Sequence, residues 1–279
     1  MLFFVTGCST GLGLQLAQAI LAAGHDCIAS SRNPSKTPDL VADFEKKGGK
    51  WVHLDISGKD VESTMANILV DHGPIDVLIN NAGVTDVGPI ENMPRDQARA
   101  VFETNFWGPL RVMQAVMPSM RERKSGSIVN ISSSSVFNPF PLLGIYSASK
   151  GAIECLADSL NSEMGAFGIR TLVVEPGLLR TEFSDTGKVD VDGIMARSAM
   201  FQGTYVEQVM AQLTAFHGNE PGDPVKVAKV IIDEVLSPKA QPPTPRLILS
   251  ADAIQFAKGK VQGLEAAVAL GETIDVGFA

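Results

Sequence analysis

The stretch Leu2–Leu14, L-F-F-V-T-G-C-S-T-G-L-G-L, decides how the rest of the chain is read. LFFVT (2–6) is a short continuous apolar run, the mark of a strand buried on both faces. Three glycines follow at Gly7, Gly11 and Gly13, and a helical pattern, GLQLAQAILAAG (13–24), begins at once. Glycine lets the backbone turn tightly and come close to a pyrophosphate. A helix start then offers free N–H groups and the positive end of its dipole to that anion. A glycine triplet between a strand and a helix, at the head of an α/β pattern, predicts a dinucleotide site. The plainer alternative is a glycine-rich turn that holds nothing.

Outward from there, β-rich runs and helical stretches alternate. Strands are expected at 25–31, 50–56, 75–83, 126–133, 169–177 and 245–250. Helices are expected near 37–47, from about 57 to Asp71, over 95–123, over 146–168 and over 223–236. Runs of Val, Ile and Leu without clean alternation point to a parallel sheet covered on both faces. With no repeat and no linker, residues 1–279 read as one doubly wound α/β domain of the Rossmann type, with about seven strands. Residues 180–222 are apolar and irregular, as a segment covering a site would be. Residues 250–279 form a C-terminal extension with no chemical motif.

Composition narrows the function. The 279 residues carry a net charge of −8, which disfavours a general nucleic-acid or anionic-membrane surface. No apolar run nears the roughly 18 residues that span a bilayer. MLFFVTG lacks the basic start and cleavage site of a signal peptide. Cys8, Cys27 and Cys155 are odd in number and scattered, which suggests reduced thiols in a cytoplasmic setting. With 4 histidines and no His/Cys cluster, no metal site is expected.

The chain has 2 tyrosines, and Tyr146 lies four residues before Lys150 in GIYSASKGA (144–152). Residues four apart share a helix face. A phenol has a pKa near 10; a neighbouring ammonium lowers it by favouring the phenolate, and an oxidised nicotinamide would add a second positive charge. The pair can therefore trade protons near neutral pH.

Seven motifs occur in order: TGCSTGLG, the Asp of HLDIS, NNAG, NFWG, NISSSS, YSASK and EPGLLRT. Together they resemble the short-chain dehydrogenase/reductase family in its one-domain branch. The likeness runs to about residue 250 and is nearest to steroid and retinol dehydrogenase-like members. It implies a carbonyl/alcohol oxidoreductase whose catalytic residues are Asn105, Ser133, Tyr146 and Lys150. Ser133 bonds the substrate oxygen, within a run (Ser132–Ser135) that leaves the register open by a position or two. Asn105 sits at a helix break and helps hold a water beside the lysine; a backbone-bonding or helix-capping asparagine is the plainer reading. The resemblance gives cofactor contacts to Gly7, Ser9, Thr10, Gly11, Leu12 and Gly13, to Asp55 and Ile56, and to Asn81, Ala82 and Gly83. Lys150 also reaches the nicotinamide ribose, beside Tyr146. Pro176, Gly177, Leu179 and Thr181 match the loop that orients the carboxamide, although Thr181 also suits a plain N-cap.

After the second strand come Ser30, Ser31, Arg32 and Asn33, with no acid to hold a ribose 2′-hydroxyl. Arg32 can pair with a phosphate in a bidentate way, and Thr10 adds a hydroxyl. NADP(H) is the expected cofactor; the alternative is that Arg32 is a solvated loop charge.

Phe183, Met195, Met200, Phe201, Tyr205, Met210 and Phe216, with Phe137, Phe140, Leu142 and Leu143, suit a bulky hydrophobic carbonyl or alcohol. The same residues also suit core or subunit contacts. The family implies a homodimer or homotetramer through the helices near 98–123 and 146–168. Two other readings use the same frame. A nucleotide-sugar epimerase or dehydratase has a T-G-x-x-G-x-x-G loop and a longer chain. A non-catalytic NADP-binding sensor tends to lose the tyrosine or the lysine.

Overall fold

The computed structural model describes residues 1–184, 198–209, 218–237 and 246–274. Seven strands form one parallel sheet: β1 (Leu2–Val5), β2 (Asp26–Ser31), β3 (Lys50–His53), β4 (Val77–Asn80), β5 (Gly126–Ile131), β6 (Ile169–Pro176) and β7 (Arg246–Leu249). Their order is β3-β2-β1-β4-β5-β6-β7. The order reverses between β1 and β4, which pair with Phe3 opposite Val77 and Val5 opposite Ile79. A crevice opens at such a switch point, beyond the carboxyl ends of the strands.

Alternate residues of each strand feed two cores, which is why the strands read as unbroken apolar runs. Phe3, Val5, Val77 and Ile79 pack with Leu16 and Ile20 of α1 (Gly11–Ala22), Phe44 of α2 (Pro38–Lys46) and Ile231 of α7 (Pro224–Leu236). Phe4, Leu78 and Ile128 face the other way. They meet Met65 of α3 (Val61–His72), Val112 and Met120 of α5 (Gly108–Arg123), and Ile153 and Leu160 of α6 (Gly144–Met164). The expected doubly wound sheet of seven strands is therefore observed.

Local details sharpen or change. The fourth strand covers 77–80, and the loop expected at its end begins with Asn81–Gly83. The helix expected over 95–123 is α4 (Arg95–Phe102), one π-helical turn (Glu103–Trp107) and α5 in succession. A π turn inserts an extra residue and often marks a functional position. Residues 251–272, for which no element was expected, form α8 (Ala251–Glu272). Its first turns touch the body of the protein, and residues 258–274 are exposed.

Candidate active site

The glycine loop lies in the crevice beside the end of β4. Gly7 has φ +73°, and a Cβ there would come 2.7 Å from Ala82 Cα. Thr6 fastens the two strand ends: its Oγ1 accepts from Asn81 N and from Ala82 N, each at 3.0 Å. The Asn81 side chain donates to Thr6 O at 2.8 Å and Gly7 O at 3.1 Å. A Cβ on Gly13 would overlap that amide and Gly7 O. Gly11, at φ +59°, faces Thr181, whose Cβ would lie 3.3 Å from an added methyl. The loops after β1, β4 and β6 therefore converge on one place.

Thr10 stands at the N-cap of α1 in extended conformation, with no side-chain cap bond. The first N–H groups of the helix stay open toward the crevice. Ser9 is half-buried and Leu12 buried, so Leu12 offers only backbone. Cys8 N donates to Ser30 O at 2.8 Å, tying the loop to β2. Burial pushes the Cys8 thiol up to about 12, which leaves it a small core residue. Arg32 follows β2 directly; it is exposed and makes no ion pair with the described residues. Asp55 is half-buried and accepts from Ser57 N and Oγ. Ile56 is buried, and its carbonyl accepts from Arg111 at 3.0 Å.

Tyr146 lies in the first turn of α6 and is 8% exposed. Its phenol lies close enough to the Ser133 side chain for that hydroxyl to favour the phenolate. Ser133 Oγ accepts from Ser135 N at 3.1 Å, which leaves its own proton unused by that bond. Ser132 faces elsewhere, donating to Glu154 Oε1 at 2.5 Å. Lys150 is 5% exposed, donates to Ile131 O at 2.7 Å and stands 5.9 Å from the Tyr146 ring centre. Asn105, on the π turn and 2% exposed, is held on both ends. Its Oδ1 accepts from Val84 N at 2.8 Å, and its Nδ2 donates to Val84 O and Ser149 Oγ, each at 2.9 Å. Gly83 runs between them: an added Cβ would be 3.4 Å from both Asn105 Oδ1 and Lys150 Nζ.

The electrostatics of the protein alone set the starting state of the pair. Desolvation pushes the Tyr146 phenol up to about 12, and the Ser133 hydroxyl only partly opposes it. The same burial brings the Lys150 ammonium down to about 8, opposed by the charge of Glu154. In the protein alone burial is the larger effect, so the phenol keeps its proton through the neutral range.

The loop after β6 is pinned from three sides. Gly177 N donates to Leu249 O, and Arg180 N to Gly222 O, each at 3.0 Å. Leu178 N donates to Asp252 Oδ2 at 2.9 Å. Thr181 Oγ1 accepts from Phe183 N at 3.3 Å, a local capping bond. The Phe183 ring lies 5.7 Å from that of Tyr146, and Phe140 meets Phe256 of α8 at 5.5 Å. Leu142 is buried, while Met200 and Tyr205 are exposed. Met195, Met210 and Phe216 lie outside the described residues. Sequence reasoning missed four supports: Thr6, Ser149, Glu154 and Asp252. Ser149 and Glu154 sit in or beside the quoted YSASK motif, so a signal was present.

The sequence pattern of the family described as short chain dehydrogenase matches residues 2–190. The chain belongs to that family. As a short-chain dehydrogenase it is an oxidoreductase, and its relatives carry that description. It is 34% identical over 275 residues to the oxidoreductase BOA17 of Botryotinia fuckeliana, covering 95% of this chain and 94% of that one. It is 33% identical over 259 residues to retinol dehydrogenase 8 of Bos taurus, covering 87% and 79%. A short-chain dehydrogenase from Streptomyces avermitilis, solved as a crystal structure, superposes with a TM-score of 0.82 at 34% identity, over 100% of this chain and 98% of that one. Among the described residues, no helix is long and apolar enough to cross a membrane.

Proposed function

We propose that this short-chain dehydrogenase interconverts a hydrophobic ketone or aldehyde and its alcohol with NADP(H). The observation that carries this reading is the buried Tyr146 phenol, beside Ser133 and one helical turn from a buried Lys150. NADPH, when bound, supplies the hydride.

The residues present fit that cofactor. Gly7 and Gly11 leave space that a side chain would fill, at the open start of α1. Ser9, Thr10, Gly11 and Leu12 offer backbone N–H groups or hydroxyls to the pyrophosphate, with Gly13 giving the helix room. Asp55 and Ile56, then Asn81, Ala82 and Gly83, border the adenosine end; Pro176, Gly177, Leu179 and Thr181 border the nicotinamide end. The exposed guanidinium of Arg32, with Thr10, favours a 2′-phosphate.

Ser133 and Tyr146 bind the substrate oxygen, in a setting where donors stabilise developing negative charge. The phenol, protonated through the neutral range, gives its proton to that oxygen. Lys150 steadies the resulting phenolate, and Asn105 holds the lysine side of the site. Phe183, beside Tyr146, and the 137–143 loop give the pocket apolar walls. Association through α5 and α6 gives a homodimer or homotetramer.

The test mixes the protein with NADPH or NADH and a panel of hydrophobic ketones, following cofactor absorbance. NADPH-dependent turnover is expected, falling about 10²–10⁴-fold in Tyr146→Phe. Arg32→Ala is expected to weaken NADPH binding on the order of tenfold and leave NADH unchanged. Full activity in Tyr146→Phe, or NADH binding as tightly as NADPH, would refute the reading.

A further inference from the structure

Three consecutive residues at the end of β5 face α6, and two of them are bonded to it. Ile131 O accepts from Lys150 at 2.7 Å and Ser132 donates to Glu154 at 2.5 Å, while Ser133 lies beside Tyr146. The three α6 partners are spaced by four residues and so lie along one face. We propose that Glu154 is a positioning residue: its buried carboxylate fixes the β5 terminus against α6, and with it the placement of Ser133 on Tyr146 and of Ile131 O on Lys150. The proposal rests on the reading of Tyr146, Ser133 and Lys150 given above.

The setting of the carboxylate supports a task beyond packing. Glu154 is 5% exposed. Its second oxygen accepts from Arg246, at the start of β7, at 2.7 Å. Arg246 also bonds Glu175 of β6 at 2.5 Å and Asp158, the next α6 residue on the same face, at 2.8 Å. Glu154 and Arg246 together therefore tie the end of β5, Glu175 of β6 and the start of β7 to the catalytic helix. Buried ion pairs are weak contributors to stability, and apolar groups of similar volume often replace them without loss. An arrangement that links Ser132 to the helix and places an anion one turn from Lys150 has a use that such packing lacks.

The charged and titratable groups facing Glu154 are Lys150 and Asp158 on its own helix, Glu175 from β6 and Arg246 from β7. Burial drives the Lys150 ammonium down, and the Glu154 charge opposes it. Removing that charge takes the lysine lower still.

The test uses Glu154→Gln and Ser132→Ala in the full chain. Both are expected to lower kcat on the order of tenfold, as small misplacements of reacting groups do, with NADPH affinity unchanged. Glu154→Gln alone should move the alkaline fall of kcat to lower pH, because it removes the anion. Ser132→Ala leaves the anion and so leaves the profile in place. A reading independent of turnover is available because the chain has only 2 tyrosines. In protein labelled at the tyrosine ring carbons, with Tyr205→Phe to assign the spectrum, both variants should shift the Tyr146 resonance. Wild-type kcat together with an unmoved Tyr146 signal would overturn the proposal, whatever happens to Tm. If Glu154→Gln does not fold, Ser132→Ala decides alone by the same two measurements. Failure of the functional reading is distinguishable: it shows as no carbonyl turnover in the wild type, while the Tyr146 resonance still reports on Glu154.

Discussion

Lys150→Met is expected to abolish turnover and yet leave the protein at least as stable as the wild type at pH 7. The ammonium is buried, and its pKa falls from 10.5 to about 8. At 1.36 kcal/mol per unit, the charged form costs about 3 kcal/mol more in the folded than in the unfolded chain. Methionine is apolar and of similar length, so it removes that cost without leaving a large void. Against this, Ile131 O loses its donor, which costs about 1–3 kcal/mol. Glu154 keeps Arg246 and Ser132, so its carboxylate is not stranded. The net expectation at pH 7 is a gain of roughly 0–2 kcal/mol. Its pH dependence has a definite sign. Between pH 8 and 10.5 the folded wild type binds fewer protons than the unfolded chain, so its stability rises with pH across that window. The variant's advantage should therefore shrink over the window and reverse near pH 10, where only the lost hydrogen bond remains. Urea unfolding of both proteins at pH 7 and pH 9.5, beside turnover measurements, checks this. A variant less stable by more than about 1 kcal/mol at pH 7, or a stability difference that does not change with pH, would refute the assignment of a desolvated ammonium.

Two further outcomes follow from the geometry. Gly7→Ala forces a side chain into a left-handed conformation against Ala82 Cα. It should cost about 2–4 kcal/mol in urea unfolding, from roughly 1–2 for the backbone and a similar amount for overpacking. An Ala variant of wild-type stability would show that the loop moves freely away from β4. Asp252→Ala removes the acceptor of Leu178 N and the partner of the Ser250 hydroxyl, loosening the loop that borders the nicotinamide end. One hydrogen bond of about 1 kcal/mol corresponds to a rise of about fivefold in the KM for NADPH. An unchanged KM would mean that α8 has no hold on that loop.

What could be read from the sequence, and what could not, divides by the range of the contact. The strands were legible because residues such as Phe3, Phe4 and Val5 feed both cores in turn and leave no polar face. The glycine loop and the Tyr146–Lys150 pair were legible because their geometry is local. A strand-turn-helix places Gly7, Gly11 and Gly13, and a helix places residues four apart. The elevated phenol pKa was not legible: sequence shows that a lysine is near but not that both groups are buried, and burial wins. Nor was α8, whose small and apolar residues fall on several sides. It is anchored by distant partners, Asp252 to Leu178 and Phe256 to Phe140.

Glu154 shows the boundary most clearly. Its spacing after Tyr146 and Lys150 was in plain view, but a glutamate on a helix ordinarily faces water. Its burial depends on Arg246, 92 residues away, arriving on the last strand. That arrival is fixed by the order β5-β6-β7, which exists only once the crossovers are complete. A helix face carrying Tyr, Lys and Glu at steps of four is therefore half of a site. The other half is an arginine that the fold, not the helix, must deliver. If so, the acid of that stripe and the arginine that opens the last strand should lose their effect on Tyr146 together. In a double-mutant cycle, Glu154→Gln and Arg246→Met should couple, and shifts of the Tyr146 resonance that simply add would show the two residues to act apart.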